Sequence, residues 1–219
     1  NNTAAQCDVY YLPPVAHSGN YFTGAQGTGN KRAVGFPITA TQTIYFYDKS
    51  AVGSCYVEGN FLITVNPSPA IDARPVEVLK CDANFVLDDL KNGEYYEFAG
   101  GPSLTNPVLE PGLVITTSKR LYVYAAAAAP NNCTKEYAID VFITKVNTIE
   151  DQYACDSYNL LAIVGQGDYY TAPGGPNGSG IKLSLPYSVA TTTSLYVYAE
   201  DNSRVFCSSE DEFTITIYK

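Results

Sequence analysis

The chain has no methionine, no tryptophan and one histidine, His17, among its 219 residues. No CxxC pair occurs either, so zinc would lack the close Cys or His ligands that structural sites use. Positive charge is scarce: 13 Lys and Arg stand against 22 Asp and Glu, a formal net charge of −9 with a pI near 4.5. Such a surface repels phosphate backbones, which excludes nucleic acid as a partner. No apolar run reaches 18 residues, so no membrane span is expected in this segment. The sequence opens on Asn1 without a signal-peptide pattern, so the expectation is an excised part of a longer protein whose address and anchor lie elsewhere.

What is present points to β structure. Hydrophobic residues make up 46% and aromatics 13%, with 19 Tyr, and the Tyr, Thr and Val content suits strands better than helices. Six cysteines with one histidine argue for disulfides, which persist in oxidising compartments and place the chain outside the cytoplasm. The length suits two or three compact units.

A repeat decides the number. Cys7, Cys81 and Cys155 are each followed by Asp (Asp8, Asp82, Asp156) and lie 74 residues apart in both steps. Twelve residues after each stands Gly19, Gly93 or Gly167, opening GNYF, GEYY and GDYY. A Gly-rich turn follows, and then a strand signal recurs as TIYFY, RLYVY and SLYVY. A second cysteine comes eight or nine residues later (Cys55, Cys133, Cys207), with a glutamate three residues beyond it (Glu58, Glu136, Glu210). Each copy closes on an alternating strand with Phe61, Ile63 and Val65, then Ile139, Val141 and Ile143, then Phe213, Ile215 and Ile217 directed inward.

These joints predict an all-β chain of three tandem small immunoglobulin-like β-sandwich modules, 1–69, 70–147 and 148–219, with five to seven short strands each. Pro67, Pro69 and Pro75 stiffen the first linker and favour an elongated array. The Ala125–Ala129 run follows a strong strand and ends at Pro130, so it reads as a strand end and hairpin loop, not a helix. A repeat that folds wherever it is inserted should close itself. The expected bridges are therefore Cys7–Cys55, Cys81–Cys133 and Cys155–Cys207, one per module, each adding roughly 4 kcal/mol in the chain-entropy model.

The combination of C-D-x-Y/F, G-x-Y-Y/F-T, a Gly-rich turn, T-x-x-I/L-Y-V/F-Y, C-x-x-E and F-x-I-T-I resembles the immunoglobulin-like repeats of very large secreted Bacteroidota proteins. Above all it resembles the SprB-type cell-surface adhesin of gliding motility, and the resemblance covers almost the whole chain three times over. It implies type IX secretion, display on the outer-membrane exterior, and a role in gripping substrates while motors move the adhesin. Copy two departs from the pattern, with Glu97 in place of Thr23 and Thr171, and Phe85 near where the other copies place Tyr.

Catalysis finds little support, because His17 has no counterpart in the other copies and no Ser-His or Cys-His pair can be a module property. The Asp and Glu flanking the cysteines (Asp8 and Glu58, Asp82 and Glu136, Asp156 and Glu210) would be drawn together by the expected bridges and are candidate calcium ligands, though two carboxylates fall short of the six to eight oxygens calcium takes. No other cofactor is expected. In each adjacent aromatic pair one ring should face the core and the other solvent. Tyr21, Tyr95 and Tyr169 are the candidate outward rings for stacking on sugars. The expected role is a stalk and attachment surface of an adhesin, with surface polysaccharide or an abiotic surface and further repeats of the parent chain as partners. The alternative is a glycan-binding module or accessory domain of a secreted polysaccharide-degrading enzyme.

Overall fold

The computed structural model describes residues 3–15, 18–203 and 206–219, and His17 lies outside them. The fold is all-β: among the described residues the only helical segments are two short 3-10 turns, Ala25–Gly27 and Gly175–Asn177. Copy one contributes β1 (Thr3–Cys7), β2 (Tyr10–Tyr11), β3 (Asn20–Phe22), β4 (Lys31–Arg32), β5 (Pro37–Ile38), β6 (Gln42–Lys49) and β7 (Tyr56–Asn66). Copy two contributes β8 (Glu77–Cys81), β9 (Phe85–Val86), β10 (Glu94–Tyr96), β11 (Val114–Ile115), β12 (Lys119–Ala126) and β13 (Thr134–Thr144). Copy three contributes β14 (Gln152–Cys155), β15 (Tyr158–Asn159), β16 (Asp168–Tyr170), β17 (Lys182–Leu183), β18 (Ser188–Val189), β19 (Thr193–Asp201) and β20 (Cys207–Tyr218).

The same topology recurs. The main sheets run β1-β7-β6-β3-β4, β8-β13-β12-β10 and β14-β20-β19-β16-β17, and each copy adds a two-stranded sheet, β2-β5, β9-β11 or β15-β18. Copy two has no partner strand on the far side of β10; an isolated bridge between Tyr95 and Leu109 stands there instead. The Ala125–Ala129 run is the end of β12 and the start of its hairpin loop to β13.

Period-two patterning accounts for the cores. Ile63, Ile139, Val141, Ile143, Phe213 and Ile215 are buried along the closing strands, with the alternate residues on the other face. In copy one they pack with Leu12, Tyr21, Ile38 and Ile44, and in copy three with Leu160, Tyr169, Leu195 and Val197. The chain packs as two compact units. One is Asn1–Ile71 with the hairpin end Tyr124–Glu136, and the other is Asp72–Val123 with Tyr137–Lys219.

The expected disulfide pairing is wrong. The bridges are Cys7–Cys133 and Cys81–Cys207, each spanning 126 residues, while Cys55 and Cys155 are free. Register gives the reason. The first strand of each copy pairs in parallel with the last, so Cys7 lies opposite Asn66, Cys81 opposite Thr144 and Cys155 opposite Tyr218, at the far end of the closing strand. The second cysteine stands at the near end, beside Tyr56, beside Thr134 or as the first residue of β20. Along an 11-residue strand the two are about 33 Å apart, well beyond the roughly 7 Å limit for bridged Cα atoms. A module laid out this way cannot close itself; its first cysteine reaches only the second cysteine of the next copy.

Candidate functional site

Two joints carry these bridges. In the first unit Cys7 and Cys133 have Cα atoms 5.8 Å apart, and Cys133 is buried. Asp8, just past the bridge, takes a left-handed turn at φ 59°, from which its N–H donates to Asn66 O at 2.8 Å. That turn ends the parallel pairing and sends the chain on to β2. The carboxylate then accepts from Ser68 N at 2.8 Å and Ser68 Oγ at 2.6 Å. These bonds, with the charge of Lys135 nearby, hold the Asp8 carboxyl below its ordinary value. Asn131 Nδ2 donates to Pro67 O at 3.0 Å, fixing the hairpin end on the linker.

In the second unit Cys81 and Cys207 have Cα atoms 5.3 Å apart. Asp82 repeats the left-handed turn, at φ 49°, with its N–H on Thr144 O at 2.9 Å. Its carboxylate is used differently. Buried Ser209 donates through Oγ to Oδ1 of the exposed Asp82 at 2.7 Å and accepts from Val146 N at 2.9 Å. Ile149 N donates to Asp211 Oδ2 at 2.9 Å, and Gln166 Nε2 to Ile143 O at 2.8 Å. Val146 and Ile149 pack into the copy-three core, so this linker is part of the fold. Ser209 was not legible as a joint residue, because neither Val57 nor Lys135, two residues after the other second cysteines, shares its chemistry.

The tyrosines chosen as outward rings are core residues: Tyr21, Tyr95 and Tyr169 are 6%, 2% and 5% exposed. Their hydroxyls donate to Pro13 O, Asp88 Oδ1 and Leu161 O at 3.2, 2.8 and 3.2 Å. Burial raises the phenol of Tyr95 from 10.0 to about 12, and those of Tyr21 and Tyr169 in the same direction. Alternation does turn the neighbouring ring to the opposite face, but there the Gly-rich loop covers it. Phe22 meets Tyr47 edge to face at 6.2 Å, and Tyr170 meets Tyr198 at 6.0 Å. A Cβ on Gly175, at φ 51°, would come within 2.2 Å of the Tyr198 ring, so only glycine lets the loop lie flat.

The glutamates after the second cysteines hold that loop down. Glu58 Oε1 accepts from Gln26 N at 2.6 Å, and Glu210 Oε1 from Gly174 N at 2.7 Å. Their recurrence opposite Tyr47 and Tyr198 was the available signal for this role. Glu136 stands at the equivalent position of β13. The Asp and Glu of one copy sit at opposite ends of the closing strand, so the bridges do not draw them together as candidate calcium ligands. Among the described residues no group of three or more His, Cys, Asp or Glu is placed to hold a metal ion. Asp156 repeats the turn at φ 63° but finds no side-chain hydrogen-bond partner among the described residues. No described helix is long and apolar enough to cross a membrane.

Chain topology and joints together define a tandem all-β repeat array in which consecutive copies are covalently bolted. No family model matches the chain, and no curated protein matches it. Among solved structures it is similar to the I-band fragment I67–I69 from titin, at TM-score 0.32 and 9% identity over 100% of this chain and 95% of that one. It is also similar to the N-terminal four Ig domains of Dscam1 isoform 4.44, at TM-score 0.30 and 8% identity over 100% and 72%. A third likeness is to Drosophila N-cadherin EC1-4, at TM-score 0.25 and 12% identity over 95% and 69%. Likenesses this distant transfer nothing to the chain beyond themselves.

Proposed function

We propose that the chain is a repeat segment of a large secreted cell-surface adhesin, built from immunoglobulin-like modules 1–69, 70–147 and 148–219 that serve as a load-bearing stalk and attachment surface. The observation that carries this reading is the lacing of consecutive copies by Cys7–Cys133 and Cys81–Cys207. The bridges overlap along the chain. The shortest covalent route between the termini runs from Asn1 to Cys7, from Cys133 back to Cys81, and from Cys207 to Lys219, about 70 residues of the 219. A fully stretched oxidised chain spans about 240 Å, against about 740 Å when reduced. Tension therefore passes across the joints and through the Cys81–Cys133 segment of the second module, and leaves most of the first and third modules outside the loaded path.

Disulfides support an oxidising, extracellular setting. The motif pattern supports the narrower reading of a gliding-motility adhesin exported by the type IX system in Bacteroidota. Burial of Tyr21, Tyr95 and Tyr169 favours the stalk over the glycan-binding alternative in its form of sugars stacked on those rings. Pulling a single chain by its ends tests the stalk. The expected result is a limiting extension near one third of that measured after reduction. Equal extensions in the two states would end the load-bearing reading.

A further inference from the structure

Cys55 and Cys155 are exposed thiols, and each occupies a position that is bridged elsewhere in the same chain. Cys55 is a second cysteine, equivalent to Cys133 and Cys207; Cys155 is a first cysteine, equivalent to Cys7 and Cys81. In both closed joints the first cysteine of one copy meets the second cysteine of the next, over the same span of 126 residues. By that rule Cys55 lacks a first cysteine from a copy ahead of it, and Cys155 lacks a second cysteine from a copy behind it.

The surroundings of both thiols lack cover that their bridged counterparts have. Cys133 and Cys207 are buried, whereas Cys55 is exposed. Two residues on, the closed joints carry Ser209, 3% exposed, and a lysine, Lys135, that stays exposed, whereas the open end carries an apolar side chain, Val57, 66% exposed. Tyr56 lies beside it half uncovered, and a depression of about 720 Å³ runs past Phe22, Tyr47, Cys55, Tyr56 and Val57. At the other end, Thr144 opposite Cys81 is 4% exposed, but Tyr218 opposite Cys155 is 57% exposed. Asp82 accepts from Ser209, whereas Asp156 has no such donor among the described residues. First cysteines stay exposed even when bridged, so the contrast rests on the second-cysteine side and on the strand-end residue.

We infer that Cys55 and Cys155 are half-bridges, each completed by a further repeat module of this kind. Cys55 takes the Cys-Asp cysteine about 126 residues ahead of it, and Cys155 takes the C-x-x-E cysteine about 126 residues behind it. The occupant is identified by continuity with the two closed joints: a parallel strand end carrying Cys-Asp for the Cys55 depression, and the start of a closing hairpin strand for the Cys155 end. This holds whether or not the array serves adhesion. Bridge formation takes one proton and one electron from each thiol. Oxidised glutathione accepts them through a mixed disulfide and leaves as two reduced molecules.

The chain carries both halves, so a second copy serves as probe. Cys55→Ser protein keeps only the Cys155 thiol, and Cys155→Ser only the Cys55 thiol. The two are mixed in equal amounts in a glutathione buffer and read by non-reducing electrophoresis and peptide mapping. Random coupling yields about twice as much mixed dimer as either like dimer. Docking of complementary ends is expected to raise the Cys155–Cys55 product at least about tenfold over each like dimer, and Val57→Asp to lower that preference about tenfold. Random proportions, or thiols that end only as glutathione adducts, would overturn the inference. Disulfide mapping of the parent protein taken from its own cells reads the natural occupant. Cys55 joined to a Cys-Asp peptide about 126 residues ahead supports the assignment, and a free Cys55 thiol there refutes it.

Discussion

The joint in the first unit and the joint in the second share their covalent part and differ in their polar part. Both bridges close spans of 126 residues, and both are followed by an Asp in the left-handed region. In the first, Asp8 turns back onto Ser68 of its own linker, and the opposing position is a lysine. In the second, Asp82 reaches across to Ser209, which also receives the Val146 amide, and the linker side chains join a core. A repeat can thus keep its bolt constant and vary the stiffness of each joint through the residues around it. The disulfide is common to both joints, and the polar bonds around it are what differ.

The largest effect should come from removing either bridge. Equal spans mean an equal loss in the chain-entropy model, about 5 kcal/mol each. Chemical denaturation of Cys7→Ser/Cys133→Ser and Cys81→Ser/Cys207→Ser proteins therefore isolates any difference between the joints as packing. Next come the core tyrosines. Tyr21→Ala and Tyr169→Ala should each lose about 3–5 kcal/mol, but only Tyr169→Ala should speed hydrogen exchange at the Val146 amide, because Tyr169 shares a core with that linker. Added polysaccharide should change neither stability. Smaller still, Ser209→Ala should cost about 1–3 kcal/mol by leaving Asp82 and the Val146 N–H unpaired, against less than about 0.5 kcal/mol for exposed Lys135→Ala. If the two substitutions cost the same, the contrast between the joints disappears.

The smallest effect is in acid. The Asp8 carboxyl lies below its ordinary 3.8, so its bonds to Ser68 contribute stability that is fully present above that value and lost as pH falls through the lower folded one. Exchange at the Ser68 amide, corrected for its intrinsic rate, should stay flat from neutral pH to about pH 4 and rise only below. At the alkaline end the sign reverses for Tyr95. Its raised pKa adds stability that is intact below pH 10 and lost as pH rises through about 12, which unfolding followed against pH would read in the second unit.

Copy two shows how much local chemistry was legible. Thr23 and Thr171 each use the hydroxyl to receive a backbone N–H, from Asn30 and Ile181, across the Gly-rich loop. Glu97 at the same place pairs instead with Lys119 at 2.7 Å, and buried Asn106 organises a different loop through Phe98 and Gly101. The departure at Glu97 was visible in the sequence; Asn106 was not, because its importance comes from burial. The aromatic pairs misled for a related reason. Alternation correctly placed the two rings on opposite faces, but it carries no information on whether a loop later covers the outer face.

By itself the sequence determined what depends on short range: three copies at a period of 74, strands from period-two patterning, turns where glycine is needed, and a core face on each closing strand. Only the tertiary structure decided the cysteine partners and the fate of the tyrosines. Parallel pairing of first and last strands sends the two cysteines of a copy to opposite ends of a strand about 33 Å long, a separation invisible to spacing along the chain. Bridging is a matter of distance in space, and in this fold the distance is short only between one copy and the next.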